Sequence, residues 1–170
     1  MTVRGGSKLD ADAGSIFNAD LQEKLVRFIQ DQAIIFYRDI GSHDFSGFPG
    51  VREEFLYLVL FATECRLKSL LGSSCACQAI SSLRIHLSSF LCQHDGKLEQ
   101  GPFWDRYEQR AALYNSQLSA DSDLSRNENI ISAFSANVMS RLHDWPALVS
   151  HHSANAAMTV LSELCGTASF

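Results

Sequence analysis

The chain has 170 residues, 46% of them apolar, 10% aromatic and 19% charged, with a formal net charge of −5. That length suits one domain able to bury roughly 70% of its unfolded surface; the apolar content excludes a disordered chain, and 3 prolines with 10 glycines exclude collagen-like or low-complexity character. An acidic chain with scattered basic residues has little to neutralise phosphates with, so no nucleic-acid partner is expected.

Residues 1–17, with Gly5, Gly6 and Gly14 among small and charged side chains, read as a flexible N-terminal tail ahead of a single helical domain over 18–170. Met1 to Asp10 lacks the apolar stretch of a secretory signal, and Thr2 stands where myristoylation requires glycine, so the expected location is cytoplasmic. Asp20-Leu21-Gln22-Glu23 has capping-box spacing, and Leu21, Leu25, Phe28, Ile29, Ala33 and Phe36 then recur as a helical stripe that ends near Arg38. Gly41 to Gly50 holds three glycines and a proline and breaks the pattern.

A second helix is expected from Val51 to Leu71, closed by Gly72. Its middle, Phe55 to Ala62, is apolar on every face, which is the pattern of a helix surrounded by others. The run is fenced by Arg52-Glu53-Glu54 and Glu64, and it is far shorter than the roughly 20 residues that span a bilayer, so no membrane partner is expected. Ser73 or Ser74 caps a third helix, in which Ala76, Ala79, Ile80, Leu83, Leu87, Phe90 and Leu91 share one face while Ser81, Ser82, Ser88 and Ser89 point away.

Gly101-Pro102 opens a fourth helix with Phe103, Tyr107, Ala111, Tyr114 and Leu118 inward. Ser125-Arg126-Asn127-Glu128 is a second capping box, leading a fifth helix of Ile130, Ile131, Phe134, Val138 and Leu142 that stops before Trp145-Pro146. Residues from Ala147 to Cys165 read as one helix, or as two short ones broken near Ser153-Ala154-Asn155, with Gly166 as the stop. No stretch alternates as a strand, so the fold class is all-α: an antiparallel bundle or orthogonal array of five to six helices.

The five cysteines read as reduced, mostly buried thiols. Cys75-Ala76-Cys77 and Cys92-Gln93-His94 invite a zinc reading, but helix residues two apart diverge by about 200°, so no metal and no other cofactor is expected. Three histidines precede aspartate, as His43-Asp44, His94-Asp95 and His143-Asp144, with starts 51 and 49 residues apart; each sits in or beside an inter-helix connection, where such residues suit helix ends. His151-His152 reads as an exposed pair. No Gly-rich phosphate loop, nucleophile elbow or HExxH pair is present in the sequence.

Leu91-Cys92-Gln93-His94-Asp95-Gly96-Lys97 resembles the central motif of the HD-domain phosphohydrolases, all-helical enzymes in which a His-Asp pair, an upstream histidine and a distant aspartate hold a metal. The resemblance implies a metal-dependent hydrolase built on His94, Asp95, His43 or His86, and Asp144. Two other readings come from the residues themselves. One is a small-ligand pocket lined by aromatics between the second and fourth helices. The other, which leads, is a non-catalytic domain acting through protein contacts as homodimer, adaptor, chaperone or inhibitor, its partner another protein or a second copy of itself. In the fourth helix Trp104, Arg106 and Arg110, with the stripe tyrosines as core and Arg110 lying over a ring, are candidate contact residues. Ser81 and Ser88 join them because charge is unevenly spread: residues 69–92 hold only Arg84, and residues 142–170 only Asp144 and Glu163, while the rest is charged to the ordinary extent of about a quarter. The third and last helices are thus the faces best suited to burial against another surface.

Overall fold

The computed structural model describes residues 19–41, 46–94, 100–118, 124–142 and 146–165. Within them the chain forms α1 (Ala19–Asp39), a stretch Phe48–His94 that Gly72 divides into α2 (48–71) and α3 (73–94), α4 (Gln100–Gln117), α5 (Glu128–Met139) and α6 (Pro146–Cys165). A 3₁₀ turn, Leu124–Arg126, precedes α5, and no strand occurs among the described residues. The fold is all-α, as the periodicity indicates.

Gly72 does more than end α2. Its φ of 71° and ψ of 165° lie in a region open almost only to glycine. Twenty residues of straight helix would hold Glu64 and Arg84 about 30 Å apart, yet Arg84 Nη2 lies 2.8 Å from Glu64 Oε1. The chain therefore reverses at Gly72, and α3 returns along α2 as the second arm of a helical hairpin. α4 then runs antiparallel to α3, since Arg84 meets Glu108 and Ser88 meets Trp104.

α2 is the centre of the bundle. Phe55, Tyr57, Leu58, Val59, Leu60 and Ala62 are wholly buried although they point in every direction around the axis. Each direction has its own cover. Phe36 of α1 and Phe134 of α5 lie 6.0 and 5.0 Å from Phe55, while Phe103 and Tyr114 of α4 lie 5.3 Å from Tyr57 and 5.2 Å from Phe61. From α6, the Cys165 thiol donates to the Ala62 carbonyl at 3.8 Å. Each such side chain taken out of water contributes about 1.5–3 kcal/mol, which is why an apolar segment with no polar face ends up at the middle.

Several boundaries depart from the sequence pattern for local reasons. α2 starts at Phe48 rather than Val51: Val51 N–H bonds the Gly47 carbonyl at 3.1 Å, so Pro49 stands in the first turn, where its missing N–H costs least. α1 already includes Ala19, which puts Asp20 inside the first turn and not ahead of it. The fifth helix is capped by Asn127, whose side-chain oxygen accepts from Ile130 N–H, while Ser125 belongs to the preceding 3₁₀ turn. The same helix ends at Met139, earlier than Trp145 suggests, because Arg141 and Leu142 N–H close tight turns onto the Val138 and Met139 carbonyls. α6 is one helix: Ser153, a possible break, is fully buried and donates to the Ser150 carbonyl at 3.1 Å. The expected tail over 1–17, the His43-Asp44 and His143-Asp144 pairs, Asp95 and Gly166 lie outside the described residues.

The reversal at Gly72 has space for a methyl group but not the backbone for one. Gly72→Ala is therefore expected to lower stability by about 1–3 kcal/mol through backbone strain alone, measured by urea unfolding with helicity at zero denaturant unchanged.

Candidate functional site

Three glutamates on α2 organise the interior. Glu54 is fully buried, and a carboxylate in such a place needs a countercharge and hydrogen-bond donors for its oxygens. It has two. Arg110 of α4 forks onto it, Nε to Oε2 and Nη2 to Oε1, both at 2.9 Å. Arg141, from the turn after α5, reaches Oε1 with Nε at 3.1 Å and Nη2 at 2.9 Å. One turn of α4 away, Arg106 donates to Glu53 Oε1 through Nε at 2.9 Å and Nη2 at 2.6 Å, and the Tyr57 hydroxyl donates to the same oxygen.

Arg141 reaches so far inward because the start of α2 has no side chains in its way. A Cβ at Gly47 would meet Leu142 Cδ2 at 2.8 Å and the Arg141 carbonyl at 3.0 Å, and one at Gly50 would meet Arg141 Cδ at 3.3 Å. The two glycines of the breaker segment thus act as a seat for the turn that carries Arg141.

Glu64, the third glutamate, is buried at the hairpin between α2 and α3 and is paired with Arg84, which also holds Glu108 at 2.6 Å. The Arg84 guanidinium stands 5.4 Å from the Trp104 ring centre and 5.1 Å from that of Tyr107. The expectation that Arg110 would cover a ring is thus corrected: Arg84 does so, because Arg110 is drawn to the buried Glu54. Carboxylate hydrogen bonds hold Arg106 and Arg110 above the ordinary guanidinium range; for Arg84, burial acts against the charge and the bonds to Glu64 and Glu108 outweigh it.

The candidate contact residues fall into two groups. Trp104 donates its indole N–H to Ser88 Oγ at 2.9 Å, and Arg106 and Arg110 are held by Glu53 and Glu54 as above, so these four side chains tie α4 to α2 and α3. Ser81 is exposed, about 20° around α3 from Ser88 and about two turns nearer Gly72. There Cys77, Gln78, Ser81, Ser82 and Ile85 form an open patch along the one helix. On a helical wheel the mean direction of these five lies about 170° from that of the buried Ala76, Ala79, Ile80, Leu83 and Leu87. Ile85 is 66% exposed. Arg84 is the one Asp, Glu, Lys or Arg in 73–94 and is spent on Glu64 and Glu108, so the outer face of α3 bears no formal charge.

The outer side of α6 exposes Leu148 and Met158 but mixes them with His151, Asn155 and Glu163. His152 is half-buried rather than exposed, its ring 5.4 Å from that of His151. Of the residues implied by the hydrolase resemblance, His43, Asp95 and Asp144 lie outside the described residues, as do the side chains of His86 and His94. Among the described residues no three histidine, cysteine, aspartate or glutamate side chains gather as metal ligands. No described helix is long and apolar enough to cross a membrane. No family model, no curated protein and no solved structure matches the chain.

The internal ion pairs were legible only as a fence of charges around an apolar run. The usable signal was Glu54 directly before Phe55, and Glu64 two residues after Ala62, on a helix with no solvent face: carboxylates so placed demand arginines from elsewhere in the chain. Glu54→Gln keeps the shape but removes the charge between Arg110 and Arg141. It is expected to cost about 3–5 kcal/mol in urea unfolding, against less than about 1 kcal/mol for Glu108→Gln at the exposed end of the Arg84 pair.

Burial pushes the hydroxyls of Tyr57, Tyr107 and Tyr114 well above the ordinary phenol range. The unfolded chain ionises all three near pH 10 while the folded one keeps them neutral, so stability is full below that pH and declines above it. Three protons released on unfolding give an expected slope of about −4 kcal/mol per pH unit above pH 10, read from urea midpoints across an alkaline series.

Proposed function

We propose that this chain is a non-catalytic helical domain that acts through protein contact, and that the outer face of α3 is the surface it uses. The observation that carries the reading is the disposal of charge on that helix: its one cation is paired with the buried Glu64 and the exposed Glu108, while Ile85, Cys77 and Ser81 are presented outward without a charge among them. Depletion of charge with an exposed apolar anchor is the composition of an interface centre and not of an ordinary solvated helix. The catalytically suggestive groups support the same reading from the other side. Both Glu54 oxygens and Glu53 Oε1 accept from guanidinium or phenol donors, and such saturated carboxylates hold helices together.

A photo-crosslinking amino acid placed at position 85 is expected to give a discrete protein adduct when the chain is irradiated in cells. The same group at position 109, on the exposed side of α4, should give none. Absence of any adduct at 85, or equal yields at both positions, would remove the reading.

A further inference from the structure

Two cysteines from opposite ends of the domain meet where the last turn of α6 crosses the central helix. The Cys165 thiol is aimed at α2, 3.8 Å from the Ala62 carbonyl oxygen. Cys65 follows Ala62 by three residues, which sets its Cβ roughly 4–5 Å from that oxygen in a regular helix. The Cys165 sulfur therefore lies no more than about 8 Å from Cys65 Cβ. Direction agrees with distance. Tyr57 and Phe61, whose rings meet Phe103 and Tyr114, mark the side of α2 that α4 covers, and Ala62 marks the side that α6 covers. On the helical wheel Cys65 falls between Phe61 and Ala62, about 60° from the latter, so it faces the seam between α4 and α6. Both side chains pack on the core and both are half-buried, so both keep contact with water. Cys75 and Cys77 differ on each count: they are exposed and, two apart on α3, diverge by about 200°.

We infer that Cys65 and Cys165 are a reversible disulfide site, thiols in the structure described here and joined by exchange with a small disulfide such as oxidised glutathione. The Cys165 thiolate attacks one glutathione sulfur, the glutathione S–S bond breaks, and one glutathione leaves as its thiol. Cys65 then gives up its proton and displaces the second glutathione from Cys165, so that two electrons and two protons pass from the protein to two glutathione thiols. The order follows from burial, which pushes the Cys65 thiol up against the weaker opposite pull of Lys68 and leaves it the poorer first attacker. The bond would tie the end of α6 to the middle of α2 across 100 residues of chain, the kind of long closure that restricts the unfolded state most. α3 covers a different side of α2, that of Glu64, so the pair acts independently of the α3 face.

The test is to incubate the full chain with oxidised glutathione, block the remaining thiols with N-ethylmaleimide, and map the peptides by mass spectrometry. A peptide pair linked through Cys65 and Cys165 is expected within single chains and should be released by dithiothreitol. The oxidised chain should unfold at a urea concentration about 1–2 M higher than the reduced one. Cys165→Ser should lose both the link and the shift while keeping its helicity, and Cys65→Ser should instead hold glutathione on Cys165. In denaturing urea the same treatment should spread the links over all five cysteines. Glutathione adducts without a link between 65 and 165, links only among the other cysteines, an unshifted urea midpoint, or the same preference for 65 with 165 in the unfolded chain would each overturn the inference.

Discussion

The structure depends on one buried carboxylate. Glu54 lies at the start of the central helix with no solvent around it, and it is neutralised by Arg110 from α4 and Arg141 from the turn after α5. No apolar contact fixes orientation so closely, because the forked geometry of a guanidinium on a carboxylate accepts a narrow range of approach. Three elements that are far apart in sequence are thereby set in register at one point. The glycines at 47 and 50, which looked like mere helix breakers, turn out to be the condition for that register, since side chains there would block the Arg141 turn.

Much of the architecture was readable from periodicity. The stripe Phe103, Tyr107, Ala111, Tyr114 is buried as its spacing indicates, and the apolar band from Phe55 to Ala62 occupies the centre for want of any polar face. Termini were less readable, because a cap is decided by which of several polar residues meets the first free N–H groups: Asn127 prevails over Ser125 by two positions. Direction was harder still. Gly72 was visible as a stop, but only the meeting of Glu64 with Arg84 shows that the chain doubles back there. Pairings between residues 53 to 87 positions apart leave no periodic trace, so Arg106 and Arg110 were seen as outward candidates when Glu53 and Glu54 hold them.

The division of polar groups follows from the same arrangement. Arginines of α3, α4 and the turn after α5 are spent on the acidic residues of α2, which leaves α3 with serines, cysteines, a glutamine and Ile85 to present outward. The low overall charge of the chain is therefore a local property of certain faces. An inward-directed electrostatic scheme and an uncharged outer helix are two results of one allocation.

The span between Glu54 and Arg141 also bears on the entropy of the fold. Closing a loop of that length costs more conformational entropy than the hairpin about Gly72, which joins residues only 20 apart. Glu54 thus ties together, through Arg141, parts of the chain that local geometry alone would leave apart.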